Sequence, residues 1–254
     1  MRNFRGTWTF TKKESQRFTS VWSQTILSPI VSNLLFLLIF GALFVGRESP
    51  FLEVPYLTFL IPGLAAMGLI TNAFQNASSS LVLSKYTGDI TDMLMLPLSG
   101  FELAVAHTLP AIFRGCLVSV VTVIVGAFFT PMFLFSIPLI LLSTILIGTI
   151  FGALGIIIGV VSKTFDQMAV VSSFIIQPLI FLGGVFYSIE SLPGVFGILS
   201  KFNPMLYLID LYRFGFIGKG DTHILLSLGI TTLVACISFL IAWRILSTGY
   251  KLKT

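Results

Sequence analysis

The segment 84–102 brings charged and apolar residues together between two long apolar stretches. Its charged residues are Lys85, Asp89, Asp92 and Glu102. An apolar cluster, 93–96, follows the second aspartate and is ended by a proline. Because of its charged residues, the segment is too polar to cross a membrane. Short helices with apolar anchors and a charged rim bind in grooves of soluble partner proteins. The composition fits such a docking segment and, equally, a surface loop folded back onto the chain's own helices.

Arg114 is a single charge inside the apolar stretch 103–129. A charge near the centre of a bilayer is costly unless it faces water or a partner, so intramembrane charges are candidate functional residues by default. Snorkelling or a structural salt bridge is the alternative, with equal weight. His107 is closer to the end of the stretch and is interpreted as a structural histidine.

Four glycines form one stripe on a predicted helix in the stretch 133–161. They are Gly148, Gly152, Gly155 and Gly159, spaced by four, three and four residues. Small residues at this spacing let two helix backbones approach closely. The stripe therefore predicts tight helix packing rather than a pore, either within the subunit or across a dimer.

Patterns for catalysis and cofactor binding are missing from the sequence. Cys116 and Cys236 lie in apolar runs without metal-ligand spacing. No G-x-x-x-x-G-K-[ST] phosphate loop occurs, and no cluster of His, Cys and carboxylates suits a nucleophile or a metal. We expect no catalysis and no bound cofactor or metal in this chain, so another polypeptide must handle any nucleotide that drives it.

The composition places these residues in a membrane protein. Of the 254 residues, 56% are hydrophobic and 10% charged, with a mean hydropathy of +1.00. The net charge of +5 is spread over segment ends without a dense basic patch, which argues against nucleic-acid binding. Six apolar segments approach the roughly 20 residues that a helical crossing needs. They are 24–46, 57–78, 103–129, 133–161, 168–187 and 223–246. The predicted fold is an all-α membrane protein with six transmembrane helices in a single domain, 1–254.

The distribution of lysine and arginine predicts that both termini are cytoplasmic, because short cytoplasmic loops carry the excess of these residues. The predicted cytoplasmic set is Arg2, Arg5, Lys12, Lys13, Arg17, Lys85, Lys163, Arg244, Lys251 and Lys253. The predicted external set is Arg47, Lys201, Arg213 and Lys219. Ten residues against four support this orientation.

The N-terminal segment 1–22 has the pattern of an amphipathic helix. One face would carry Phe4, Trp8, Thr11, Ser15, Phe18 and Trp22, with the basic residues elsewhere. A helix of this kind lies in the headgroup plane of a membrane. The alternative is a disordered basic tail, which would leave two tryptophans and two phenylalanines in water.

After the fifth apolar segment, the stretch 182–213 is apolar but broken by Gly-Gly, Leu-Pro and Asn-Pro steps. No single straight helix passes through these breaks. Short helices that enter the outer leaflet and return satisfy the pattern, provided that protein covers their free backbone groups.

The same stretch resembles the signature of permease subunits of type-2 ABC exporters, which has a Gly-rich run, a Leu-Pro step, a later proline and an arginine. Here the signature is carried by Gly183, Gly184, Pro193, Asn203, Pro204, Tyr207 and Arg213. The resemblance extends to the basic N-terminus, the six predicted spans and the sequence 61–63, Ile-Pro-Gly. The resemblance covers essentially the whole chain, and the chain looks closest to small bacterial permeases of undefined cargo.

This resemblance implies roles for three segments. Residues 1–22 would be a connecting helix, 84–102 a coupling segment and 188–213 re-entrant external helices. Two permeases, as a homodimer, would pair with two separate ABC ATPase subunits that bind ATP and Mg, in a bacterial inner membrane and in contact with its lipids. The residues expected to touch the ATPase are Lys85, Asp89, Asp92 and Glu102.

Two other functions remain as alternatives. An ion-gradient-driven secondary transporter would need intramembrane carboxylates or broken helices in matching halves, and the sequence has no clear internal repeat. A membrane scaffold that anchors an ATPase without moving cargo is compatible with the sequence.

Overall fold

The structure is a computed structural model that describes residues 3–20, 23, 27–44, 54–191 and 194–251. Within these residues the fold is helical and contains no β-strand element. The helices are α1 Phe4–Ser20, α2 Ser28–Phe44, α3 Tyr56–Thr87, α4 Ile90–Met95, α5 Gly100–Gly126, α6 Ile137–Val161, α7 Phe165–Val171, α8 Gln177–Leu182, α9 Val195–Phe202, α10 Pro204–Ile217 and α11 Ile224–Thr248. A π-helical segment, Ser172–Ile176, joins α7 to α8, and a 3-10 turn, Ile189–Ser191, precedes α9.

Five helical segments are long and apolar enough to cross a membrane. They are α3, α5, α6, α11 and the continuous run Phe165–Leu182, which joins α7 and α8. Five of the six predicted crossings are thereby confirmed as helices of sufficient length and hydropathy. At the first, predicted for 24–46, α2 has 17 residues, which is short of the roughly 20 needed. The count of six therefore stays a prediction, and 24–26 and 45–46 lie outside the described residues.

The long helices run back and forth between two ends of the bundle. At one end, Lys85 of α3 donates from Nζ to the carbonyl of Val160, in the last turn of α6. At the other end, the Tyr56 hydroxyl donates to the carbonyl of Phe186 over 2.7 Å. We call these the α4 end and the α10 end, after the short helices that they carry.

Helix α3 forms the centre of the bundle. Within an apolar stretch of 18 residues in each helix, the buried share is 89% for α3, against 22% for α11 and 17% for the run Phe165–Leu182. Its 32 residues extend over about 48 Å, whereas the hydrocarbon core of a bilayer is about 30 Å thick. One part of α3 therefore extends beyond the hydrocarbon core.

The glycine stripe of α6 packs inside the subunit. Gly148 and Gly152 face α5, where their nearest neighbours are Ile112, Ala111 and Thr108. Gly155 and Gly159 face α3, and a Cβ on Gly155 would lie 2.6 Å from the carbonyl oxygen of Phe74. The sequence left open whether the stripe packs within the subunit or across a dimer, and the structure shows packing against helices of the same chain.

Helix α1 forms as predicted, and the face that packs against the bundle overlaps the predicted stripe only in part. Its buried residues are Phe10, Thr11, Glu14 and Phe18. The ring centroid of Phe10 lies 5.1 Å from that of His107 on α5, whereas Phe4 and Trp8 are 79% and 61% exposed. Thr11 and Phe18 of the predicted stripe are therefore buried, together with Phe10 and Glu14, which the stripe did not include. Placement of the helix in the headgroup plane stays a prediction. Trp22 lies outside the described residues.

Candidate functional site

The connection between α3 and α5 projects from the α4 end as a turn followed by a short helix. Gly88 ends α3 with φ of 85°, a left-handed conformation that glycine adopts without strain. Helix α4 follows, and its Ile90 and Met93 are buried against the bundle. These two anchors fix the orientation of α4, so its opposite side faces outward.

The outward side of this connection combines two large apolar side chains with two acids. Tyr86 is 81% exposed and Met95 is 82% exposed. Asp89 and Asp92 are exposed beside them. We call these four residues the α4 surface. It has the composition of a docking site, with apolar groups that gain from burial and carboxylates that set register.

Lys85 belongs to the interior side of the connection. Its Nζ donates to the carbonyls of Val160 and Ser162, at the C-terminal end of α6. A lysine in this position satisfies carbonyl groups that lack helical partners and interacts favourably with the helix dipole. Lys85 therefore has a capping role within the chain, and its expected contact with an ATPase stays a prediction.

Glu102 is likewise engaged within the protein. It is buried, and its carboxylate accepts hydrogen bonds from the Ser99 backbone at 2.8 Å, the Ser99 hydroxyl at 2.8 Å and the Asn3 backbone at 2.6 Å. With the bond from the Glu102 amide to Ser99, this forms a capping box at the start of α5. Glu102 therefore joins α1 to α5 and does not contribute to the α4 surface.

At the α10 end, the signature arginine is buried in the protein. Arg213 is 1% exposed, and its guanidinium lies 3.8 Å from the ring centroid of Phe59. Its Nη2 donates to the carbonyl of Gly184 over 2.6 Å, and Nη1 lies 3.9 Å from Oδ2 of Asp221. Its assignment to the external loop charges is corrected, because partners within the fold compensate its burial.

Two buried aspartates complete this cluster. Asp221 accepts hydrogen bonds from the Ser188 hydroxyl and the Ile189 amide, besides facing Arg213. Asp210 accepts from the backbone amides of Asp221 at 2.8 Å and Thr222 at 3.0 Å. The cluster thus fastens the turn after α10 to the segment before α9.

The signature glycines allow this close approach. Gly184 has φ of 84°, and a Cβ on Gly183 would lie 2.8 Å from Cβ of Met205. Gly63 of α3 is equally confined, since a Cβ there would lie 2.7 Å from the carbonyl oxygen of Val185. Only residues without a side chain fit at such distances.

The remaining signature residues shape the start of α10. Asn203 caps the helix by accepting from the Met205 amide at 3.0 Å, and Pro204 occupies the first turn. Tyr207 donates to the carbonyl of Lys201 over 2.8 Å. Pro193 lies outside the described residues.

Arg114 of α5 reaches towards α3, where its Nε donates to Oδ1 of Asn72 over 3.2 Å. Its side chain is half-buried. Close by, Arg17 of α1 donates to the carbonyl of Asn76 over 2.9 Å. The structure therefore brings two arginines from different helices onto α3.

Glu14 is the acidic member of this group. It is buried, accepts from the Ser80 hydroxyl at 2.6 Å and pairs with Arg17 at 3.1 Å. Burial raises the pKa of Glu14, but interactions with His107 and Arg17 and the hydrogen bonds from Ser80 and Arg17 lower it, and the net shift is downward. The carboxylate therefore remains charged at neutral pH.

Sequence reasoning missed several of these residues. Tyr86 and Asp221 were not singled out, and neither was Glu14. Asp221 follows a Gly-Lys-Gly turn, and an acid near a conspicuous intramembrane arginine is a signal that could have identified it. Among the described residues, no group of three or more His, Cys, Asp or Glu side chains is arranged to hold a metal ion.

Comparisons with known proteins identify the family of the chain. The ABC-2 type transporter family matches residues 5–217. The chain is 32% identical over 242 residues to the inner membrane transport permease YadH of Escherichia coli K12, covering 95% of this chain and 94% of the relative. It is 24% identical over 237 residues to nodulation protein J of Rhizobium leguminosarum bv. viciae, covering 89% of each. The chain therefore belongs to the ABC-2 type transporter family.

Proposed function

We propose that this chain is the membrane-spanning subunit of an ABC exporter and that a separate ATPase drives it through the α4 surface. Members of the family are transport permeases, the non-catalytic subunits of ABC transporters, and membership implies an ABC ATPase partner. The observation that carries the proposal is the outward exposure of Tyr86 and Met95 beside Asp89 and Asp92. Large exposed side chains on a rigidly held turn are typical of interface anchors.

The proposed orientation places the α4 end in the cytoplasm, with six spans and α2 as the first. Eight described basic residues belong to the α4 end or to the loops beside it. They are Arg5, Lys12, Lys13, Arg17, Lys85, Lys163, Arg244 and Lys251. Removing the buried Arg213 from the external set leaves three residues there, so the excess of lysine and arginine on the cytoplasmic side becomes larger than the sequence predicted.

The α10 end would then face outward. Helices α9 and α10 have 8 and 14 residues, too short to cross a bilayer, and we propose that they are re-entrant and cap the exit. Helix α2 and the run Phe165–Leu182 expose apolar residues, including Leu43 and Phe174. We place a second copy of the permease against this face, with membrane lipid around the remainder.

The geometry supports a route from the ATPase to the bundle. Ile90 and Met93 hold α4 against the bundle, and the capping box at Ser99 joins its end to α5. Movement of α4 would therefore displace α3 and α5 rather than deform a loose loop. ATP and Mg would be bound by the ATPase, whose closure on ATP supplies that movement.

Removal of both apolar anchors tests the proposal. In the complex with its ATPase, we expect the double variant Tyr86→Ala, Met95→Ala to bind the ATPase roughly 30-fold more weakly, because two anchors together contribute about 2 kcal/mol. Binding would be measured by titrating labelled ATPase onto nanodiscs that contain the permease.

Tyr250→Ala is the matched control, because Tyr250 is also an exposed tyrosine near the α4 end but lies after α11. We expect this variant to bind as the unmodified chain does. Unchanged affinity in the double variant, with the permease still folded, would refute docking at the α4 surface.

A further inference from the structure

Arg17 and Arg114 contact one face of α3 side by side. Arg114 donates to Asn72, and Arg17 donates to the carbonyl of Asn76 at 2.9 Å and to its side chain at 3.4 Å. Asn72 and Asn76 are one helical turn apart, which is about 6 Å along the axis. Two guanidiniums from different helices are therefore held at neighbouring levels of α3.

The negative charge around this pair is insufficient to balance it. Glu14 is the carboxylate that contacts Arg17, and it also accepts from Ser80. The sequence has no Asp or Glu between Glu53 and Asp89 or between Glu102 and Asp166, so α3 and the apolar part of α5 supply none. The two arginines and one glutamate leave one positive charge uncompensated.

The unused hydrogen-bond donors lie mainly on Arg114. A guanidinium has five N–H groups. Among the described residues, the one hydrogen bond of Arg114 runs from Nε to Asn72, and neither terminal nitrogen is among the fully buried polar atoms that lack a partner. Arg17 is also partly accessible, with 26% of its side chain exposed. The pair can therefore donate to an anion that approaches from outside the subunit.

The depth of the pair agrees with the headgroup layer of a membrane. Asn72 lies 16 residues after Tyr56 and Asn76 lies 20 residues after it. At 1.5 Å per residue these positions are about 24 and 30 Å along α3, close to the thickness of a hydrocarbon core. A helix that enters the membrane at Tyr56 therefore brings both guanidiniums to the boundary at the α4 end.

We propose that Arg17 and Arg114 form a binding site for the phosphate group of an anionic membrane lipid. Guanidinium groups bind phosphate through paired hydrogen bonds. The two arginines supply the free donors, and their uncompensated positive charge attracts an anion. The site lies in the leaflet at the α4 end. Naming that leaflet cytoplasmic rests on the proposed function, whereas the site itself does not.

Titration of a labelled lipid tests this site. The complex of permease and ATPase would be placed in phosphatidylcholine nanodiscs, and pyrene-labelled phosphatidylglycerol would be the probe. We expect Arg114→Gln to weaken binding about tenfold, because it removes the charge and the free donors, while Arg114→Lys stays within about threefold of the unmodified chain.

Lys163→Gln is the matched control, since Lys163 is an exposed cation of the loop after α6. We expect it to change the affinity less than about twofold. Equal affinity of Arg114→Gln and the unmodified chain would overturn the proposal, as would an equal loss in the control. If Arg114→Gln does not fold, loss of probe binding by a folded Arg114→Lys variant would also overturn it.

Competition separates a lipid from a free anion. We expect unlabelled phosphatidylglycerol to displace the probe and millimolar inorganic phosphate to leave it bound. Displacement by inorganic phosphate at similar concentrations would overturn the assignment to a lipid. The Tyr86→Ala, Met95→Ala variant should bind the lipid normally, so failure of ATPase docking and failure of this site give different results.

Discussion

Replacement of Arg213 by methionine is expected to destabilise the protein by about 3–5 kcal/mol, the range for removing one partner of a buried ion pair. Methionine roughly preserves apolar volume, but it leaves Asp221 buried without its cation. A second carboxylate, that of Asp210, is also held in this cluster, where it accepts from the Asp221 backbone amide at 2.8 Å. The carbonyl of Gly184 also loses its charged donor. The measurement is thermal unfolding of the purified protein in detergent.

A change of charge alone is not expected to produce this loss. Lys201→Met removes an exposed cation from the same end of the bundle and should leave the unfolding midpoint nearly unchanged, because exposed charges contribute little. Arg213→Lys should fall between the two, since it keeps the charge but loses the planar guanidinium over Phe59. An Arg213→Met protein as stable as the Lys201→Met protein would contradict the assigned role of the cluster.

Gly155→Leu is expected to have the second large effect, a loss of at least about 3 kcal/mol, towards the upper end of what overpacking costs. The first added carbon alone would lie 2.6 Å from the carbonyl oxygen of Phe74 and 2.9 Å from Cβ of Ala77. The nearest atom belongs to the backbone of α3, so no side-chain rotation relieves the clash. Helix α6 must move away from the central helix, which lowers the unfolding temperature and the yield of monodisperse protein.

Gly229 provides the control for this substitution. It also lies in a long apolar helix, α11, but no atom lies within 4 Å of a Cβ placed there. Gly229→Leu should therefore give nearly unchanged yield and unfolding temperature. Similar losses from both substitutions would show that the glycine stripe is not specially confined.

Much of the fold follows from local sequence properties. Long apolar runs specify membrane helices because every backbone group must be satisfied within the segment, and five of the predicted crossings have the required length. Gly-Gly and Asn-Pro likewise predict the helix breaks after α8 and after α9, because they act on the backbone at their own positions. The glycine spacing indicates close packing, but its choice between α3, α5 and a second subunit depends on tertiary contacts.

The candidate site was less predictable because its charges depend on distant partners. Lys85, Glu102 and Arg213 all appear suited to solvent or to a partner when considered alone. The structure gives them acceptors or donors on other helices, at Val160, Asn3 and Gly184. Burial of a charge depends on whether such partners converge, and one sequence does not contain that information. Asp89 and Asp92 stay exposed, and their contact with an ATPase stays a prediction.

The most direct test is purification of the tagged chain from its native membrane, followed by identification of its partners and assay of the complex. We predict that it co-purifies with a polypeptide carrying a G-x-x-x-x-G-K-[ST] phosphate loop, and that the complex hydrolyses ATP faster than the isolated partner. Mutation of the lysine in that loop should abolish transport. A chain that purifies without such a partner and transports cargo under an ion gradient alone would contradict the account.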